Sequence, residues 1–333
     1  VTALDPRRAE GLRARLTVVR DRIAAAAGAA GRDPGELTLI AVSKTWPFED
    51  VVALCSLGVR HFAENREQEA GPKVEAVRRA LAAAGAGAAG AGAAEGPATG
   101  VSPARGAVGD EVAPPGDGVR RPGPSGHTPV AWFPSRADGL ATLGSTTGTN
   151  VPVWHYVGQL QRNKARSVAG WAHCVQSVDR ARLVESLSRV VTESGSTIAV
   201  CIQVSLDHAG GSGSPRGPLT WKSLPTRENG DPPVAVGGAR GGVRPAEVLA
   251  LAELVARAPG LVLAGVMAVA PRGEPPRPAF ALLREVSERL RCEYPAATMV
   301  SAGMSGDLDD AVAEGATHLR IGTALFGERH GVP

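Results

Sequence analysis

Lys44 closes an apolar, β-branched run, TLIAVSK (38–44), and counting back from it by two places Val42, Ile40 and Thr38 on the same face of a strand. If Ile40 and Val42 fill the interior of a closed sheet, Lys44 reaches the mouth. Two later segments end strands in small polar residues. SAGMSGD (301–307) sets Ser301, Gly303, Met304 and Ser305 in a tight loop that runs into a helix, and LRIGTALFG (319–327) breaks a β-branched run with Gly322 and Thr323. Free backbone amides and small hydroxyls of this kind suit a phosphate dianion. A primary amine facing a phosphate cradle suits a phosphorylated aldehyde held as a Schiff base, and pyridoxal 5′-phosphate (PLP) is the commonest ligand of that type.

Arg320 shares parity with His318 and Gly322, so its guanidinium is expected on the same side as the cradle. There it could hydrogen-bond a pyridine nitrogen and, as a like charge, depress the pKa of Lys44. Such depression assists imine formation, because a free lysine with pKa about 10.4 is less than ~0.1% neutral at pH 7. An arginine partner also leaves the ring nitrogen largely unprotonated, which makes the ring a poorer electron sink than an aspartate partner would.

The elements that must position these residues follow from periodicity. Short β-branched runs at 38–44, 61–65, 154–158, 173–179, 199–206, 263–269, 299–304 and 318–326 alternate with helical patterns. Apolar residues at i, i+3, i+4 spacing mark helices at about 6–30, 179–193, 245–258 and 278–291. Eight strands with intervening helices predict a single (β/α)8 TIM-type barrel with an extra N-terminal helix, and in that fold the ligand sits at the C-terminal ends of the strands, often with its phosphate in the loops after strands seven and eight. Two stretches break the pattern. Leu81 to Gly100 holds 10 Ala and 6 Gly, and the Pro/Gly-rich run that follows is poor in large apolar residues, so 81–150 reads as a low-complexity disordered insertion. A second Gly/Pro-rich loop insertion spans 208–242. Without them roughly 230 residues remain, the size of one barrel domain.

The chain has 333 residues and a net charge of +3 with both signs interspersed, which gives no footprint for nucleic acid. Neither a membrane-spanning run nor a secretory leader is read from it, so a cytoplasmic protein is expected. The four cysteines lie far apart with no CxxC pair, and His61, His155, His173 and His318 open strands without metal-ligand spacing, so both sets read as structural. The basic cluster Arg162, Lys164 and Arg166 reads as a solvated helix face.

Taken in order, AVSKTWP, HFAENREQE, WHYVGQLQRNKAR, QSVDR, VCIQVSLD, GVMAVAP and SAGMSGDLDDAVAEGATHLRIGTALFGER resemble the pyridoxal phosphate homeostasis protein family, over nearly the whole chain outside the two insertions. The resemblance implies PLP bound as a covalent aldimine on Lys44 in a barrel similar to the N-terminal domain of alanine racemase, that is, a fold-type III PLP protein. It implies Ser301, Ser305 and the Gly322 and Thr323 amides at the phosphate, with Asn65, Met267 and Arg320 around the ring and Met304 among the cofactor-binding residues. One departure is visible: many members follow the fifth strand with a short loop ending in Lys-Ser-Gly, whereas here the second insertion ends in Ala239, Arg240, Gly241 and Gly242.

The resemblance implies a non-catalytic protein of intracellular PLP homeostasis, a monomer or weak dimer, with apo PLP-dependent enzymes as acceptors. The alternative is an amino-acid racemase-like enzyme of the same fold, which needs a second acid/base opposite Lys44. Of the two tyrosines, Tyr156 falls within a strand and Tyr294 in a loop, and neither is expected to reach the ligand. A class I aldolase-like barrel acting on a sugar phosphate through Lys44 is a third, weaker reading.

Overall fold

The computed structural model describes residues 4–91, 151–207 and 241–328. Eight parallel strands close a barrel in sequence order: β1 Thr38–Val42, β2 His61–Glu64, β3 Val153–Tyr156, β4 Cys174–Val178, β5 Ile198–Gln203, β6 Leu261–Met267, β7 Met299–Ser301 and β8 His318–Ile321, with β8 pairing back onto β1. Around it lie α1 Pro6–Ala29, α2 Phe48–Ser56, α3 Glu67–Ala91, α4 Ala165–Ala169, α5 Ala181–Glu193, α6 Val248–Arg257, α7 Pro276–Glu293, α8 Leu308–Ala313 and the short α9 Thr323–Phe326.

Strand alternation divides the core into two layers. Leu39, Ala41, Phe62, Trp154, Val300, Leu319 and Ile321 face outward and pack beneath the helices. Ile40, Val42, Ala63, Cys174, Ala199, Cys201, Ala264, Met267 and Met299 line the lumen. Helix α5 shows why the helices seat as they do: Leu183, Val184, Leu187, Val190 and Val191 form one buried stripe at i, i+1, i+4, i+7, i+8. Helix α1 begins at Pro6 with the Asp5 side chain accepting from the Arg7 amide, and it buries Leu12, Leu16, Val19 and Ile23. Each such side chain contributes about 1.5–3 kcal/mol by leaving water, and truncating one to alanine costs about 2–5 kcal/mol.

The structure corrects one boundary. Composition ends the ordered chain near residue 81, whereas α3 continues to Ala91. Alanine has the best helix propensity of all residues, so an Ala-rich segment attached to a seated helix extends it despite interspersed glycines. The rest of the first insertion, 92–150, and residues 208–240 of the second lie outside the described residues. The chain rejoins the sheet at Val243, whose amide donates to the Gln203 carbonyl at 2.9 Å.

Candidate functional site at the barrel mouth

The C-terminal end of β1 turns sharply. The Trp46 amide donates to the Ser43 carbonyl at 3.0 Å, so Lys44 and Thr45 are the two central residues of a β-turn. Thr45 has φ 65°, a left-handed conformation that costs a β-branched residue about 1–3 kcal/mol. Its hydroxyl donates to the Lys44 carbonyl at 2.5 Å. The turn is held from outside the barrel by residues of opposite parity to Lys44. Ser43 Oγ donates to Glu64 Oε1 at 2.7 Å, and Lys73 Nζ reaches from α3 to both Glu64 Oε1 (2.7 Å) and the Ser43 carbonyl (2.8 Å). Glu64 is fully buried, and loss of solvation raises its pKa despite the opposing Lys73 charge and hydrogen bonds. Ser43 and Glu64 share the outward parity of Ala41 and Phe62, and Lys44 follows the lumen-lining Val42 by two residues.

The neighbouring strands bring the other residues to the same rim. Asn65 follows β2, and the Gly158 backbone lies so close to it that a side chain there would put Cβ 2.2 Å from the Asn65 carbonyl oxygen; only glycine fits. The side-chain oxygen Oδ1 of Asn65 is buried without a hydrogen-bond partner. On the other flank, Gly322 lies against Val42: a Cβ added at Gly322 would stand 3.6 Å from the Val42 carbonyl oxygen, so the β8 loop abuts the Lys44 turn. Ser305 Oγ accepts from the Ala324 amide at 3.3 Å, joining the loop after β7 to the first turn of α9, where Thr323 is exposed. Gly303 makes this loop possible with φ 85°, and its carbonyl accepts from the Arg320 amide at 3.0 Å. Met304 is exposed at the loop tip, its amide held by Asp307 Oδ1 at 2.6 Å, while Met267 is buried in the lumen beside Ser301 in register.

Arg320 sits at the centre of the lumen wall. Its Nη1 donates to Ser301 Oγ and its Nη2 to the Ala268 carbonyl, both at 2.7 Å. Burial lowers its pKa to about 10, which leaves it a cation at neutral pH; the charge of Asp307 opposes the shift. Ser301 passes the line on, donating to Gln176 Oε1 at 2.7 Å, and Gln176 Nε2 stands 3.0 Å from His155 Nδ1. His155 Nε2 in turn lies 3.0 Å from His61 Nδ1. Since Arg320 only donates, each group in this line accepts from one neighbour and donates to the next, which places the His155 proton on Nε2. Desolvation lowers the pKa of His61 to about 4 and of His318 to about 3, and holds His155 well below 6.5.

Thus the structure brings Lys44, Asn65, Ser305, Gly322 and Thr323 to one rim and places Met304 at its edge. Met267, Ser301 and Arg320 stand below, in the lumen. The motif groups Ser301 with the phosphate loop, but its hydroxyl proton is committed to Gln176 and its oxygen to Arg320, so it stands as a partner of Arg320. The supporting residues Glu64, Lys73, Gln176 and His155 do not emerge as a set from sequence reasoning. Glu64 carries a signal: it is the acidic residue of a buried four-residue strand, which requires a cation nearby. Two members of the basic cluster are engaged in ion pairs, Lys164 with Glu67 at 3.1 Å and Arg166 with Glu193. Among the described residues no group of three or more His, Cys, Asp or Glu side chains could hold a metal ion, and no helix is long and apolar enough to cross a membrane.

Comparison with known proteins fits this geometry. A pyridoxal phosphate homeostasis protein of Mycobacterium tuberculosis is 34% identical over 333 residues, covering 97% of this chain and 95% of that protein. The chain belongs to the pyridoxal phosphate homeostasis protein family. Residues 233–330 match the family model described as the alanine racemase N-terminal domain. Among solved structures, a Bifidobacterium adolescentis protein shares the fold with TM-score 0.67, 24% identity and 97% coverage of both chains. PipY of Synechococcus elongatus, in the form without PLP, gives TM-score 0.57 and 25% identity over 94% of this chain and 98% of that one. The same protein is known with PLP bound, at TM-score 0.53 and 24% identity over 92% of this chain and all of that one.

The mouth offers what a family ligand of this kind requires. Asn65 Oδ1 is a buried polar atom without a hydrogen-bond partner, and the same end of the barrel carries a lysine, a buried arginine and a hydroxyl- and amide-bearing double loop. When bound, PLP supplies an aldehyde for amine chemistry and a ring that accepts electrons.

Proposed function

We propose that this chain binds PLP in the barrel mouth, holds it as an imine on Lys44, and functions in PLP homeostasis as a non-catalytic carrier that releases the cofactor or passes it to apoenzymes. Condensation of Lys44 Nζ with the aldehyde releases one water, and hydrolysis regenerates both. The observation that carries the reading is the pairing of β1 with β8 up to Ala41 and Ile321, with Gly322 beside Val42 and Ser305 bonded to the Ala324 amide, which puts the β7 and β8 loops next to the end of β1. Family membership and PLP-bound PipY support it. Asn65, Met267 and Arg320 would contact the ring, Met304 would lie at the rim, and Ser305, Gly322 and Thr323 would take the phosphate. Ser301 would act through Arg320.

The non-catalytic reading is supported by the placement of the two tyrosines. Tyr156 packs in the outer layer against Trp171, with ring centroids 6.1 Å apart, and Tyr294 lies outside the barrel beside Leu249 and Glu253. Neither is available as a proton donor opposite Lys44. The test has two arms. Borohydride reduction of the PLP-saturated protein followed by peptide mapping should locate the adduct on Lys44; an adduct elsewhere, or none, overturns the site. Incubation with L- or D-amino acids in deuterated water should give no Cα exchange above that of free PLP. Exchange at about 1 per second or faster would make the protein a racemase-like enzyme.

A further inference from the structure

The Lys44 turn is pinned at both ends, and the second pin is made by a residue far away in sequence. At the Ser43 end stand Glu64 and Lys73. At the Trp46 end, Arg8 in the first turn of α1 places its guanidinium 4.6 Å from the centroid of the Trp46 ring. The same guanidinium donates from Nε and Nη2 to the two carboxylate oxygens of Asp50 on α2, at 3.1 and 2.6 Å, and from Nη1 to the Phe326 carbonyl at the end of α9, at 2.9 Å. Trp46 stacks on the Phe326 ring, with centroids 5.7 Å apart and planes 14° from parallel. Asp50 is buried, so its charge is neutralised by Arg8 and by no solvent.

We infer that Arg8 is a positioning residue for the cofactor site, locking the Lys44 turn and the β8 phosphate loop into one unit through Trp46 and Phe326. The inference rests on the PLP reading of Lys44 given above. Its logic is geometric. Trp46 is two residues beyond Lys44, and Phe326 closes the short helix that starts at Thr323, so the stack of the two rings fixes the distance between the amine and the phosphate loop. The Arg8 guanidinium touches the segments of both rings and α2 together. The left-handed Thr45 gives the turn a reason to move once that lock is gone, since the strained residue relaxes toward an ordinary conformation. A planar fork with donors on three sides can hold these partners at once, and a lysine cannot.

The test compares covalent capture with fold. Arg8→Met combined with Asp50→Leu removes the lock without leaving a buried charge unpaired. In this double variant the apo protein should melt within a few degrees of wild type, while the rate of borohydride-trapped PLP on Lys44 and the PLP affinity should each fall about tenfold or more, because displacement of reacting groups by about 1 Å costs up to about 100-fold. Trp46→Phe, which keeps the ring stack, should stay within about threefold of wild type, and Trp46→Ala should behave as the double variant does. If the double variant does not fold, Arg8→Lys carries the same measurement. A folded variant without the lock that captures PLP at the wild-type rate and affinity overturns the positioning role. Absence of a Lys44 adduct in the wild-type protein overturns the underlying reading instead.

Discussion

The two ends of the barrel lumen are both polar, and they are polar in opposite ways. At the floor, Gln176, His155 and His61 are hydrogen-bonded in sequence along one line and are withdrawn from solvent. At the mouth, Asn65 keeps an unpartnered oxygen, Thr45 holds a left-handed φ, and the polar loops after β7 and β8 are partly exposed. A polar group whose partners are all internal stabilises one structure. Groups held in place but left unsatisfied are preorganised for something that arrives later, and strain beside them is what the surrounding packing maintains. Arg320 joins the two ends, since its donors face the floor through Ser301 while its strand leads into Gly322.

The sharpest way to break this comparison is Lys44→Ala. If the mouth exists for a ligand, the variant should lose the reducible PLP adduct completely, while its apo melting temperature stays within a few degrees of wild type, because Lys44 is a partly exposed turn residue and belongs to neither apolar core layer. Absorbance and mass mapping of the reduced protein read the first effect and thermal melting the second.

The converse experiment strikes the floor. Gln176→Leu strands the Ser301 hydroxyl and His155 Nδ1, two buried polar groups, and should cost about 2–4 kcal/mol in urea unfolding of the apo protein. PLP should still be trapped on Lys44 in the folded fraction. Equal loss of stability and of capture would show that floor and mouth are one functional unit.

A smaller effect comes from pH. Burial depresses the folded-state pKa of His61 to about 4 and of His318 to about 3, while the unfolded chain titrates near 6.5. Below pH 6.5 the unfolded state therefore binds more protons than the folded state. Stability is complete above pH 6.5 and falls progressively as the pH drops toward 4 and then 3. His155, also depressed, acts in the same direction. Between pH 7.5 and 6 the loss should be about 1 kcal/mol per histidine, read as a falling urea midpoint with unchanged slope. A midpoint that rises on acidification would mean that these histidines are charged in the fold.

Much of this is legible in the sequence, for identifiable reasons. Strand parity gives the lumen side of Ile40, Val42 and Arg320 because a two-residue period survives any packing. The mouth residues lie in loops at the strand ends, where the fold itself directs attention. The floor is less legible. That His61 and His155 meet, and that Gln176 and Ser301 continue the line to Arg320, depends on the stagger of five different strands around a closed barrel, which single-sequence periodicity does not contain. Ser301 illustrates the limit: its motif places it in a phosphate loop, and only its hydrogen bonds show which neighbour uses its hydroxyl. The Arg8 lock is invisible in the sequence for the same reason, as its three partners come from residues 46, 50 and 326.

The smallest effect should come from the first insertion, and it tests whether the barrel needs anything beyond the two ends of its lumen. In α3 Ala80 is buried and Leu81 packs against the core, and residues 82–84 are exposed. Beyond Ala91 the sequence up to residue 150 has Trp132 and Phe133 as its only Phe, Trp or Tyr residues and is dense in Gly and Pro. That composition is the ground for expecting the segment to contribute little to the core, and the deletion tests it. Replacing 93–149 by a short Gly/Ser linker that still lets the chain enter β3 at Val153 should change the melting temperature by about 2 °C or less, since the shorter loop is slightly favoured by closure entropy and no described element is removed. PLP capture on Lys44 should be unchanged within about twofold. A drop of about 10 °C would mean that the segment supplies packing to the outer layer, and loss of capture at constant stability would assign it to the mouth.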